Sequence, residues 1–512
     1  MRESRHGHLW RDSLKTELAN LSDSWHWTPL PPGKTACRQI VIFKAKMHAD
    51  GSLDKRKVRI CIDGKSLSRD EMGETYQAVA TLDSVRLMAS MAVQNGDDLI
   101  QCDFDAAFLC GSMPYELYAR PPHGIGAPLD DNGEPQVCRV VGNQYGHPKA
   151  PNIFGTLCHE QFMSFCSASF PSCVVTRGRA DICTYRFECN GTAVNCVLYV
   201  DDTLWQVPRT PEARKLFRAI TDHINSHAKL RITADAQGDR RGQPVHSFLG
   251  ILVEYDVNKG VLHMSMPSKI DELIASAGLS NANPKYTTGE PGSEGTLADC
   301  PVDGPAGDEH RAVMERVPYR SLLMSTMWIV RGVRPDGLTR ASALSRVMHK
   351  PGVAHWRQLK HLLRYLKATR DEKLTYTRDD RLPDGYLPMW IAVDASYLPD
   401  YGDLFANYKS TTGWVVFGPT GQAVAWRSRR QSLTADSTCV AEYMAAADAV
   451  KMAVHMRRLL SDFGAPQTQP AVGWEDNQAW IRFGARWCNP DRPKHVVVKA
   501  HLVRDMQWRD IV

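Results

Sequence analysis

A chain of 512 residues with 43% apolar and 23% charged side chains has ordinary globular composition. It is long enough for about three or four domains and wrong for a disordered polypeptide. Lys plus Arg number 62 against 57 Asp plus Glu, so the net charge of +5 announces no polyanion partner, and any basic surface has to be local. No apolar run approaches the roughly 20 residues that span a bilayer, and the start carries no apolar leader. Fourteen cysteines without a CxxC pair predict reduced thiols in an intracellular protein with no membrane attachment.

From the N-terminus, the first informative stretch is basic: residues 34–69 hold ten Lys or Arg against three Asp, which suits phosphate contact. Residues 98–103 read as a short strand ending on an acid, Asp103. Residues 194–199 and 203–207 read as two strands rich in β-branched and aromatic side chains. The tight junction Val200-Asp201-Asp202 predicts a hairpin with the acidic pair at its turn. Residues 284–307 hold nine Gly or Pro in 24 positions and predict a linker or mobile loop. In 354–368, Leu359, Leu362, Leu363 and Leu366 form the apolar stripe of an amphipathic helix, with Arg357, Lys360, Arg364 and Lys367 as a separate basic stripe. Arg340 to Arg378 carries ten Lys or Arg and only two acids, a candidate phosphate-binding surface. Turn formers at 379–388 set off a C-terminal unit. There, 389–393 reads as a strand leading to Asp394, followed by strands at 414–417 and 423–426. A long helix over 441–460 places Glu442 in its first turn, and a further strand leads to Asp476.

Acids at element ends recur. Asp103, Asp201 and Asp202 form one set: attack of a hydroxyl on a phosphate needs little covalent help, only two Mg²⁺ ions and clustered carboxylates to hold them. Asp394, Glu442 and Asp476 form a second. A strand–strand–helix–strand order brings them to one sheet edge, as two-metal hydrolysis of an RNA strand requires. Each acid alone also suits a turn or a helix start, so both readings stand on spacing alone.

Tyr199-Val200-Asp201-Asp202 after a buried strand resembles the catalytic hairpin of reverse transcriptases. Gln101-Cys-Asp103-Phe-Asp-Ala-Ala-Phe108-Leu-Cys-Gly111 resembles the first metal-binding motif of copia-type LTR retrotransposon polymerases. Leu30-Pro-Pro-Gly-Lys34, Lys57-Val-Arg59, Ser84-Val-Arg86-Leu87, Phe248-Leu-Gly-Ile251, Tyr319-Arg-Ser-Leu322 and Leu363-Arg-Tyr-Leu-Lys367 follow in the family's order. In the last quarter, Val393-Asp-Ala395, Trp426-Arg-Ser-Arg-Arg-Gln431, Ala441-Glu-Tyr443 and Asp476-Asn-Gln478 resemble the family's ribonuclease H domain.

The resemblance implies a mixed α/β (α+β) chain: a right-hand polymerase palm and fingers, a helical thumb and connection, then a ribonuclease H-like mixed-sheet domain. The corresponding spans are 1–258, 259–385 (with the linker 284–307) and 386–512, the last truncated at its C-terminus. It implies RNA-directed DNA synthesis with two Mg²⁺ or Mn²⁺ ions per active site. Asp103, Asp201 and Asp202 would be ligands in the polymerase, and Asp394, Glu442 and Asp476 in the nuclease. Lys57, Arg59 and Phe108 would contact the incoming nucleotide, Phe108 by excluding a 2′-hydroxyl. The implied partners are an RNA template, a DNA primer, an RNA–DNA hybrid and dNTPs, in cytoplasmic virus-like particles or the nucleus, with a homodimer as an open assembly. Two positions depart from the family pattern: Asp63 stands where a basic residue is usual, and Pro148 stands in Tyr145-Gly-His-Pro-Lys-Ala-Pro151, where the family reads Tyr-Gly-Leu-Lys-Gln-Ala-Pro. Val497 also occupies a place where the family often has Asp. The alternative reading is a catalytically inactive relic that only binds nucleic acid.

Overall fold

The computed structural model describes residues 7–47, 53–68, 72–168, 172–226, 228–234, 245–290, 304–383, 387–397, 408–478, 481 and 494–511. Mixed α/β architecture is what the sequence led us to expect, and five sheets carry it. A two-stranded ribbon, Gln39–Met47 with Leu53–Ile62, sets Lys44 across from Lys57 and Arg56 across from Ala45. A four-stranded sheet built from Trp25–Thr28, Val137–Gly142, Ser112–Ala119 and Ala36–Cys37 lies beside it.

The central sheet has six strands, in the order Leu230–Ala234, Asp98–Phe104, Asp202–Val207, Thr192–Tyr199, Thr184–Cys189 and Cys173–Arg177. Both its faces are covered, which explains strands too apolar for simple alternation. Ile100, Cys102, Cys196 and Trp205 pack on one side with Phe162, Phe187 and Phe217. Leu99, Val197 and Leu204 join a second, larger core on the other side.

That larger core runs through most of the chain. The helix Leu82–Asn95 is buried along almost its whole length. It packs in one cluster with Leu262 and Met264, with Leu322 and Leu363, and with Val416, Val424 and Ala425 of the C-terminal unit. Arg86, only 2% exposed, is the polar knot of this junction. Its Nε donates to the Val424 carbonyl (2.7 Å) and its Nη1 to the carbonyls of Arg331 (2.8 Å) and Gly332 (2.9 Å). Nη2 pairs with Asp83. The guanidinium lies 3.9 Å over the Trp426 ring, whose Nε1 donates to Val330 O.

In the C-terminal unit, Ala423–Arg430, Thr411–Phe417 and Trp390–Ser396 are antiparallel, while Val472–Trp474 joins Trp390–Ser396 in parallel. The helices Thr438–Asp462 and Lys494–Trp508 pack together through Ala446, Ala447, Val450 and Val503.

Several expectations are corrected. Cys173 and Cys189 are disulfide-bonded, not reduced, because the register of their antiparallel strands sets them directly opposite, with Cα atoms 4.3 Å apart. The helix Gly304–Met314 begins inside the expected linker 284–307, of which 291–303 lie outside the described residues. The helix expected at 441–460 starts earlier: Ser437 accepts a hydrogen bond from Val440 N as its N-cap, so Glu442 sits in the second turn. The basic stripe on Val353–Ala368 is partly committed within the chain. Lys367 donates to the carbonyls of Ser280 (2.6 Å) and Ala282 (2.9 Å), and Arg364 to that of Asn283 (2.5 Å). Among the described residues no helix is long and apolar enough to cross a membrane.

Candidate active sites

In the first site, Tyr199 pairs with Asp202, leaving Val200 and Asp201 as a two-residue turn. Val200 has φ 59, a left-handed conformation that is costly for a β-branched residue but that tight hairpin turns demand. On the hairpin's other flank Asp202 pairs with Asp103, and the Phe104 N–H donates to Asp201 O at 3.1 Å. Directly opposed residues on antiparallel strands hold their Cβ atoms about 5 Å apart. Two acids 99 positions apart in sequence thus become nearest neighbours, with the third in the adjoining turn.

Sequence reasoning missed Arg231. The next strand sets it opposite Asp103, and its guanidinium lies 3.6 Å from the Asp103 carboxylate and 3.4 Å from that of Asp105. Among the described residues no three His, Cys, Asp or Glu side chains converge tightly enough to ligate one ion as they stand. The donor set still fits a hard divalent cation: oxygen ligands only, gathered by register, with a positive charge already standing beside Asp103.

Phe108 lies five residues past Asp103 on the short turn Ala107–Leu109. It packs edge-on against Tyr145 (centroids 6.1 Å) and Phe154 (6.2 Å). Arg59 reaches from the ribbon to sit 4.8 Å over the same Tyr145 ring. The charges of Arg59 and Asp201 both act on the Tyr145 hydroxyl, whose burial pushes its pKa up to about 12. Lys57, two residues earlier on the strand, faces Glu17, as does Arg59. Of the expected basic pair, Arg59 therefore reaches the aromatic wall in direct contact.

The loop behind Tyr145 is fixed by backbone. Ile62 N–H donates to Tyr145 O (2.7 Å), and Gly146, at φ +80, passes so close that a Cβ would lie 2.2 Å from Ile62 O. Only glycine meets both conditions. Asp63 is neutralised locally: Arg38 donates to it at 2.7 Å and the Lys65 N–H at 3.3 Å. His147, 2% exposed, bonds the Tyr115 hydroxyl and accepts from Lys149 N (3.2 Å). Burial, then Lys149, depresses its pKa to about 4.

A neutral buried histidine must take up a proton on unfolding, so its contribution is present above the ordinary value near 6.5 and is lost as pH falls toward 4. Thermal melts from pH 7 to pH 4 are expected to register a loss on the order of 2–3 kcal/mol from this group. His147→Gln should flatten that part of the profile; an unchanged profile would refute the assignment.

In the C-terminal unit, Asp394 lies inside the inner strand Trp390–Ser396, which runs past the end expected at 393, and the parallel neighbour Val472–Trp474 delivers Glu475 and Asp476 beside it. Glu442 faces them from the helix. Its buried carboxyl is pushed up to about 8 by desolvation and then by Glu475, Asp394 and Asp476. Glu442 Oε2 and Glu475 Oε2 are both buried without a hydrogen-bond partner among the described residues. The three expected acids are thus electrostatically coupled, together with Glu475, which sequence reasoning passed over. Orphaned, mutually repelling carboxylates fit a divalent cation by charge and donor chemistry.

With this geometry in hand, comparison with known proteins is informative. Residues 22–291 match the family described as reverse transcriptase (RNA-dependent DNA polymerase). The chain is 27% identical over 500 residues to the retrovirus-related Pol polyprotein from transposon TNT 1-94 of Nicotiana tabacum, covering 96% of this chain and 34% of that one. It is 26% identical over 506 residues to the corresponding polyprotein from transposon RE2 of Arabidopsis thaliana, covering 97% and 31%. It therefore spans about a third of the length of these relatives. A solved foamy viral protease–reverse transcriptase in complex with double-stranded DNA is similar with a TM-score of 0.47 and 10% identity, covering 96% of this chain and 67% of that one.

Proposed function

The chain belongs to the reverse transcriptase (RNA-dependent DNA polymerase) family, and on that premise we propose that it performs template-directed DNA synthesis as a segment of a copia-type retrotransposon Pol polyprotein. A primer 3′-hydroxyl attacks the α-phosphate of a deoxynucleoside triphosphate and pyrophosphate leaves. The observation that carries this reading is the register that sets Asp202 opposite Asp103 beside the Asp201 turn. Two Mg²⁺ or Mn²⁺ ions held by these three carboxylates would bind the triphosphate and acidify the attacking hydroxyl.

The protein's own groups have separable roles in this proposal. Asp103, Asp201 and Asp202 would hold the cations, and Arg231 balances the charge of Asp103. Arg59, braced on Tyr145, and Lys57 orient the triphosphate. Phe108, held between Tyr145 and Phe154, closes the space that a 2′-hydroxyl would need. We divide the chain into fingers and palm (1–258), thumb and connection (259–385) and a ribonuclease H-like unit (386–512). In the last, Asp394, Glu442 and Asp476, with Glu475 beside them, form a second cation site for cutting the RNA of a hybrid.

Primer extension on RNA and DNA templates with Mg²⁺ or Mn²⁺, comparing wild type with Asp201→Asn, tests the proposal. Extension that depends on Asp201 supports it. Tight hybrid binding without extension in either protein would leave a polypeptide that only binds nucleic acid. Phe108→Val is expected to raise the ratio of ribonucleotide to deoxynucleotide incorporation by about 10–100-fold, because the contact it removes acts only against the 2′-hydroxyl. An unchanged ratio in single-nucleotide assays would remove Phe108 from that role.

A further inference from the structure

Six residues, about 1.7 helical turns, beyond Glu442, Asp448 plays no part in the acid cluster. It accepts hydrogen bonds from Trp414 Nε1 (3.1 Å) and Arg429 Nη2 (2.7 Å). Beside it opens a cavity of about 200 Å³, whose polar lining includes Thr412, Arg429, Gln431, Asp448, Lys451 and Lys499. The three cations come from three separate elements: the strand Ala423–Arg430 and the helices Thr438–Asp462 and Lys494–Trp508. Among the described residues one carboxylate lines the hollow with these three cations, and it is already bonded to Arg429 and Trp414.

Lys499 is carried there by the apolar packing of its helix through Val503, Leu502 and Met506. Burial, with Lys451 and Arg429 nearby, holds its ammonium below the ordinary lysine range. Gathering like charges in a half-buried hollow works against folding. An anion of fitting shape relieves it, and the hollow offers guanidinium and ammonium donors to a tetrahedral oxyanion.

We propose that this hollow binds one backbone phosphate of a nucleic-acid strand crossing the C-terminal unit, fixing that strand relative to the acids at Glu442. Six residues of helix separate Asp448 from Glu442, about 9 Å at about 1.5 Å per residue. That axial rise is close to three base-pair rises of about 3.4 Å, with the two side chains about 120° apart around the helix. The inference rests on the nucleic-acid reading above and adds a contact outside both acid sites.

The test is binding of an RNA·DNA hybrid by the full chain, followed by fluorescence anisotropy across a salt series, for wild type, Lys451→Gln and Lys451→Gln/Lys499→Gln. The double variant should bind about 10-fold more weakly at low salt, with the slope of log K against log salt reduced by about 1, as one lost phosphate contact requires. Lys451→Gln, a change at an exposed position, should lose part of that slope and decides the matter if the double variant fails to fold. A wild type that binds with no change of slope in the variants overturns the hollow and leaves the polymerase reading standing. A wild type that binds no hybrid overturns both. Inorganic phosphate that raises the wild-type melting temperature, with the slopes unchanged, would make the hollow a small-anion site and overturn the strand contact.

Discussion

Asp202→Asn will lower primer extension by about 10³-fold or more while leaving the melting temperature within a degree or two of wild type. The substitution keeps the shape of the side chain and every backbone bond of the hairpin, whose register with Asp98–Phe104 is set by the strands and not by the carboxylate. What it removes is one negative charge from a set whose value lies in acting together. Asp103→Asn should therefore cost about as much, and the double variant little more than either single one, because members of one catalytic unit are strongly non-additive. Steady-state extension and melting curves on the same preparations check this. Retention of more than about a tenth of wild-type activity in either single variant would mean that these carboxylates do not hold the cations that bind the reacting phosphate.

Arg86→Met is expected to lower stability by about 3–5 kcal/mol, a large part of the 5–15 kcal/mol that ordinarily holds a folded domain. Methionine fills much of the volume but leaves the carbonyls of Val424, Arg331 and Gly332 buried without their donor. Each such orphan costs about 1–3 kcal/mol, and the stacking on Trp426 is also lost. Arg86→Lys should rescue little, since one ammonium cannot span carbonyls on two segments and lie flat on an indole. Urea unfolding followed by tryptophan fluorescence measures the loss. A lysine variant as stable as wild type would show the knot to be a charge contact and not a geometric one.

What could be read from the sequence, and what could not, follows from the range of the forces involved. The hairpin at Asp201-Asp202 and the strand ending near Asp103 are written locally, in β-branched runs and a tight turn. Their mutual register rests on apolar faces that a one-residue slip would invert. The coupling of Asp394, Glu442 and Asp476 was legible from element order. Glu475 was not, because only the parallel pairing of Val472–Trp474 decides which of two adjacent acids turns inward. Arg231 arrives from a third strand, 128 positions after Asp103, with no local signature of its own. The basic stripe at 357–367 was legible only as charge, because charge periodicity cannot tell a phosphate from a carbonyl. Lys367 and Arg364 spend their donors on the chain's own backbone at 280–283. The paired cysteines were likewise invisible, since only strand register sets Cys173 against Cys189.

The helix Leu82–Asn95 has a consequence for how the protein is made. Ser90 meets Thr420 across 330 intervening positions, and Arg86 meets Val424 across 338. During translation this greasy rod emerges more than 300 residues ahead of the surface that covers it. Until that surface is made, the apolar face of the rod has to be covered by helper proteins or by loose contacts within the nascent chain.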